Sequence, residues 1–344
     1  MTRVQMMSLW HLLQRLQLSG GRLGNVIRYG SASFLLLLAF GSLAGPLADA
    51  LRARAQQRGN EVTSPIDSEA GEAQSDESRT KRSLRRESMP PNTRSWKDLA
   101  YGSDPQQRLD VYAPPGAKAA PMILLVHGGA WMIGDKAHAP VVANKLARWL
   151  PKGFVVASTN YRMSKNPNPS DQVEDVAHAL AYIQANAASW GGEPGKVVLV
   201  GHSAGAHLVS MLASDPGIVE RAGGQSWRGT VSLDSASMNV VEVMERKHHR
   251  IYDRVFGDSP EKWRKISPFH HLSAMSGRQL LVCSSRRTDS CEQASSYAER
   301  AEALKVPVTV FPVDLGHGAI NTDLGKQNGL TVEVERFMKQ VGVL

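Results

Sequence analysis

From residue 96 to the C-terminus, short apolar runs alternate with longer segments of helical period. Leu109-Asp110-Val111-Tyr112 alternates apolar and polar in the manner of a half-buried strand. Met122–Val126, Phe154–Ala157, Val197–Val200, Leu280–Val282 and Thr309–Val313 are continuous apolar runs, and Val231–Leu233 reads as a further strand. Runs of that length suit strands covered on both faces of a parallel sheet. Between them, Val141–Leu150 is amphipathic, and Val173, Val176, Ala177, Leu180 and Ile183 fall on one helical face. Residues 292–304 and 330–341 read the same way. Strand and helix in alternation predict an α/β fold with a mainly parallel central sheet flanked by helices.

The chain upstream of residue 95 has a different texture. The only formally charged side chains before Ser31 are Arg3, Arg15, Arg22 and Arg28, all basic. Ala32 to Ala44 is apolar or small, and Ala48-Asp49-Ala50 places small residues where a signal peptidase reads them. Residues 1–50 are therefore expected to be a signal peptide. The competing reading is an uncleaved membrane anchor through residues 31–48, a stretch that only just reaches bilayer length and is interrupted by Gly41, Gly45 and Pro46. Either way the catalytic part is expected outside the cytoplasm, periplasmic, secreted or membrane-anchored. Residues 51–94 are rich in Ser, Glu, Arg and Gln and nearly devoid of large apolar side chains, a composition that cannot offset its ordering entropy and predicts a disordered linker. Residues 95–344 are the expected catalytic domain.

Composition narrows the function. With 344 residues and 42% hydrophobic content there is material for one large core. The net charge of +8 sits partly in the linker, at Arg52, Arg54, Arg58, Arg79, Lys81, Arg82, Arg85 and Arg86. No basic stripe interleaved with aromatics accompanies it, so no nucleic-acid partner is expected. Cys283 and Cys291 alone cannot make a zinc site; in an oxidising compartment they can pair, and otherwise they are two idle thiols. No metal and no cofactor are expected.

The strongest chemical signal is Gly201-His202-Ser203-Ala204-Gly205, which follows the run Val197–Val200 and precedes a helical stretch over Ala204–Ala213. A strand, a tight turn and a helix in this order present a serine oxygen on a strained elbow, and the glycines remove side chains that would collide there. His127-Gly128-Gly129-Ala130-Trp131 directly follows another buried run. An attacked carbonyl becomes an oxyanion, and fixed backbone N–H groups stabilise it at about 3–4 kcal/mol each. The expected donors are Gly128, Gly129 and Ala204. His127 is expected to brace the loop, and Trp131 and His202 are expected to contact substrate.

A serine hydroxyl needs a general base, and the base needs a carboxylate to orient it. His317, in the Gly316-His317-Gly318 loop after the last strand, is the expected base. Asp289, in the loop after Gln279–Val282, is the expected acid, with Asp234 after Val231–Leu233 as its rival; Asp314 is placed at the end of the last strand. If Cys283 and Cys291 pair, the bond stiffens the loop that carries Asp289.

These pieces together resemble a family. Leu109-Asp110-Val111-Tyr112, the His-Gly-Gly-Ala-Trp run, Asn160-Tyr161-Arg162 and the stretch from Gly201 to Leu208 are similar to α/β-hydrolase-fold esterases related to hormone-sensitive lipase, kynurenine formamidase and bacterial feruloyl esterases. Ala130 and Trp131 in place of a third glycine favour the formamidase and feruloyl-esterase side. The resemblance implies a serine carboxylesterase acting on a small or aromatic ester through an acyl-enzyme. The alternatives are an amide hydrolase, or a binding protein that kept the fold. Asp175 resembles a helix residue that is structural in the family. Residues 235–275 are the least family-like part and are expected to form a small cap; His248, His249, His270 and His271 lie in or near it and read as surface or cap residues, since adjacent pairs make poor metal geometry.

Overall fold

The computed structural model describes residues 89–344. The leader expected over 1–50 and the linker up to residue 88 lie outside the described residues. Among those described, no helix is long and apolar enough to cross a membrane.

Eight strands form one sheet: β1 (Arg94–Ala100), β2 (Arg108–Ala113), β3 (Ala120–Val126), β4 (Val155–Thr159), β5 (Gly192–His202), β6 (Gly229–Leu233), β7 (Gln279–Ser284) and β8 (Val308–Val313). Their spatial order is β1-β2-β4-β3-β5-β6-β7-β8. The pairs β1–β2 and β2–β4 are antiparallel and the rest are parallel. Helices fill the connections: α1 (Ala139–Trp149), α2 (Pro169–Ala185), α3 (Ala187–Trp190), α4 (Ala204–Ser214), α5 (Gly217–Arg221), α6 (Val240–Glu245), α7 (Arg250–Phe256), α8 (Pro260–Lys265), α9 (Pro268–His271), α10 (Thr288–Ala303), α11 (His317–Asp323) and α12 (Gly329–Gln340).

The apolar runs are continuous because both faces of the sheet are covered. Along β3, Met122, Leu124 and Val126 pack with α2 and α4, whereas Ile123 and Leu125 pack with α1 and α12. Strand β1 escapes the hydrophobic reading because it is an edge strand whose side chains are mostly exposed. It begins at Arg94, the last residue assigned above to the linker.

Between β6 and β7 lie the four short helices α6 to α9. Tyr252 and Phe256 of α7 stack on each other, with ring centroids 5.5 Å apart, and meet Trp131 edge-on at 6.2 and 5.1 Å. The segment over 235–275 thus rests on the loop that follows β3. Its histidines serve local structure: His248 pairs with Asp253 at 2.9 Å, His249 caps α7, His270 bonds Ser267 and His271 bonds the Lys265 carbonyl.

Candidate active site

Parallel strands deliver their C-terminal ends to one edge of the sheet, and the chemistry collects there. β5 ends at His202 and α4 starts at Ala204, leaving Ser203 alone in the turn with φ 53° and ψ −116°. That left-handed backbone is unusual for a residue with a side chain. The turn is tight enough to exclude one at both flanking glycines: a Cβ at Gly201 would lie 2.3 Å from the Gly205 carbonyl oxygen, and one at Gly205 would lie 2.3 Å from that of Val126.

His317 was expected in a loop and instead opens α11. Its Nε2 lies 3.0 Å from Ser203 Oγ. Four hydrogen bonds from three side chains hold it and its helix there. His202 Nε2 donates to the His317 carbonyl at 3.0 Å, Lys145 Nζ donates to the Asn321 carbonyl at 2.5 Å and to Asn321 Oδ1 at 3.0 Å, and Asn144 donates to the Thr322 carbonyl at 2.7 Å. Burial pushes the Lys145 ammonium down to about 7, with nearby Asp323 opposing.

The carboxylate on His317 is Asp234, not Asp289. Asp234 Oδ2 accepts from His317 Nδ1 at 2.5 Å. Asp289 sits in the first turn of α10, exposed, and its oxygens go to Arg287 and to its neighbour's N–H. The reason is positional. β6 is hydrogen-bonded directly to β5, Ser203 N–H donates to the Leu233 carbonyl, and the next residue of β6's exit is Asp234. The loop after β7 instead enters α10 at Thr288, which turns Asp289 to solvent. Asp314, exposed, pairs with Arg286.

Asp234 is fully buried, with four donors around it. Oδ1 accepts from the Ser284 N–H at 2.7 Å and Ser290 Oγ at 2.5 Å; Oδ2 accepts from Arg287 Nη1 at 2.9 Å as well as from His317. Burial alone would raise its carboxyl. The hydrogen bond from His317, the charge of Arg287 and the Ser290 hydroxyl outweigh that and hold it well below the usual carboxylate range.

The loop after β3 faces this pair. An added Cβ on Gly128 would sit 3.0 Å from Ser203 Cβ, so the glycine backbone lies against Ser203. Gly129 has φ +115°, and Ala130 and Trp131 are also left-handed at 51° and 63°. Among the described residues, no hydrogen-bond partner occupies the N–H of Gly128, Gly129 or Ala204. His127 stacks on Tyr161 at 4.5 Å and its Nδ1 donates to the Gly128 carbonyl at 2.7 Å, while Tyr161 Oη donates to the His127 carbonyl at 3.1 Å. Burial pushes the His127 imidazole down, keeping it neutral. The Asn160-Tyr161-Arg162 motif thus braces the loop, and buried Asp175 anchors it by accepting from the Arg162 N–H at 2.8 Å and its guanidinium at 2.7 Å.

Two expected substrate contacts have other partners. His202 is buried and its Nε2 is committed to the His317 backbone, so it positions His317. Trp131 is 5% exposed, packed between α7 and His207, which accepts from its Nε1 at 3.2 Å.

Residues 109–282, half of the chain, match the family model described as BD-FAE. The chain belongs to this family. It is similar to the isoprenylcysteine alpha-carbonyl methylesterase ICME of Arabidopsis thaliana, at 28% identity over 68% of this chain and 58% of that protein. Esterase LipC of Mycobacterium tuberculosis is 29% identical over 71% of this chain and 64% of its own length. The chain spans about half the length of the curated relatives it matches. Among solved structures, a truncated carbohydrate esterase from gut microbiota superposes with a TM-score of 0.63 at 20% identity, covering 74% of this chain and 99% of that one. Esterase B from Lactobacillus Rhamnosis gives 0.60 at 17%, covering 86% and 94%. At those identities the likeness is one of fold, and the fold is that of the α/β-hydrolase esterases.

Arg287 was not anticipated in the site at all. Its side chain is 12% exposed, and Nη1 lies 2.7 Å from His317 Nδ1. Its placement depends on the chain turn into α10, which carries no local motif. Cys283 and Cys291 are joined in a disulfide, with Cα atoms 5.1 Å apart. The closed loop contains Ser284, Arg287 and Ser290, all three donors to Asp234.

Proposed function

We propose that the protein is a serine carboxylesterase acting on small or aromatic carboxylic esters through an acyl-enzyme. The observation that carries this is the chain Asp234–His317–Ser203, at 2.5 and 3.0 Å, beside three unengaged backbone amides. Ser203 Oγ attacks the ester carbonyl while His317 Nε2 takes its proton. The new oxyanion is received by the N–H groups of Gly128, Gly129 and Ala204. His317 then returns the proton to the departing alkoxide, leaving an acyl group on Ser203. A water, deprotonated by the same nitrogen, attacks that acyl carbonyl and releases the acid. Asp234 stays ionised and stabilises the imidazolium formed in both halves of the cycle. The names of the relatives, methylesterase and esterase, agree with this class of bond.

The basic, then apolar, then small-residue start of the chain supports export, and the Cys283–Cys291 bond suits an oxidising compartment. Uncleaved, residues 31–48 would anchor the enzyme to the membrane.

The test is steady-state hydrolysis of p-nitrophenyl acetate, butyrate and palmitate, methyl ferulate, and an N-formyl arylamine. Turnover of the short-chain and aromatic esters, with the formamide at least about a hundredfold slower, is the expected result. Preferential formamide cleavage would move the assignment to the amide hydrolases.

A further inference from the structure

The loop expected to bring an acid to the histidine brings a cation. Arg287 Nη1 stands 2.7 Å from His317 Nδ1 and 2.9 Å from Asp234 Oδ2. Nδ1 carries the proton given to Asp234, so the guanidinium is no hydrogen-bond partner of the ring. It shares Oδ2 with it and presents a fixed positive charge to one edge of the imidazole. Burial works against that charge, and Asp234 and Asp289 outweigh it, so Arg287 stays protonated.

Resting on the serine-esterase reading above, we propose that Arg287 is a positioning residue that keeps His317 in its proton-accepting form at lower pH than Asp234 alone would allow. Two effects share this sign. The guanidinium repels a second positive charge on the adjacent ring, and it neutralises part of the Asp234 charge that would otherwise favour imidazolium. It also occupies Oδ2, so the carboxylate cannot rotate away from the ring. Other groups that face His317 include Ser203 at Nε2 and His202 at 4.6 Å between ring centroids, while Asp289 and Tyr252 act on Arg287. Ser203 and His202 do not touch Arg287, whereas Asp289 loses its Arg287 partner when that residue is changed. Arg287 is itself held from three sides: by Asp289 at 3.0 Å, by Asp234, and by a loop tied at both ends through Cys283 and Cys291.

The pH profile of kcat/KM separates this role from a merely structural one. In Arg287→Gln the midpoint of the acid limb moves up by about one pH unit, as loss of a like charge in contact distance requires, and the alkaline plateau falls by no more than about tenfold. Arg287→Lys, which restores charge without the planar fork, returns the limb to within about a third of that shift. An acid limb that stays where the wild type has it in Arg287→Gln overturns the proposal, whether or not the plateau falls. Wild-type protein that hydrolyses no ester would instead overturn the functional reading on which this rests.

Discussion

Four residues with side chains hold left-handed backbone around one point: Ala130, Trp131, Ser203 and Asp234, at φ 51°, 63°, 53° and 57°. Such conformations cost of order 1–3 kcal/mol each and persist where surrounding contacts enforce them. Here they mark the loop after β3, Ser203 and Asp234. Asp234 was the hardest of these to read, because nothing in Ser232-Leu233-Asp234-Ser235 resembles a motif and only the pairing of β6 with β5 brings it to His317. The exchange of acids gives a sharp comparison. Asp234→Asn should lower kcat by about ten-thousandfold, the loss seen when a triad carboxylate becomes an amide. Asp289→Asn, at an exposed position, should stay within about threefold. Near-equal losses in the two variants, measured on p-nitrophenyl butyrate, would return the acid role to Asp289.

At the scale of elements, most of the sheet was legible because buried parallel strands are written as unbroken apolar runs, and the elbow was legible because its sterics demand glycine on both sides of the serine. The edge strand β1 was not, since its side chains face water. Nor was α11 as a helix, because Gly316-His317-Gly318 has loop composition and the helix is held from outside, through Lys145 and Asn144 on α1. The disulfide loop belongs to this scale too. Closing residues 284–290 should stabilise the fold by about 2–3 kcal/mol through loop entropy. Beyond that it fixes three donors on Asp234. Thiol titration of the unreduced, denatured protein should find no free cysteine, and Cys283→Ser/Cys291→Ser should lower kcat several-fold while leaving KM within about twofold. Two titratable thiols, or an unchanged kcat in the double variant, would detach the loop from catalysis.

For the molecule as a whole, the parts agree on one edge of the sheet. β3, β5, β6 and β7 end there, the segment from α6 to α9 leans on Trp131 from above, and α11 returns His317 to Ser203. The cavity of about 350 Å3 lined by Val173, Met211, Asp215 and Ile266 lies at the far end of α4 and takes no part in this arrangement. The proposed mechanism requires a single activated serine. Intact-mass spectrometry after exposure to a fluorophosphonate tests that most directly. One adduct per chain, mapped to Ser203 and absent from Ser203→Ala, is the predicted result. A folded protein that acquires no adduct, or one that carries it on a different residue, would contradict the account.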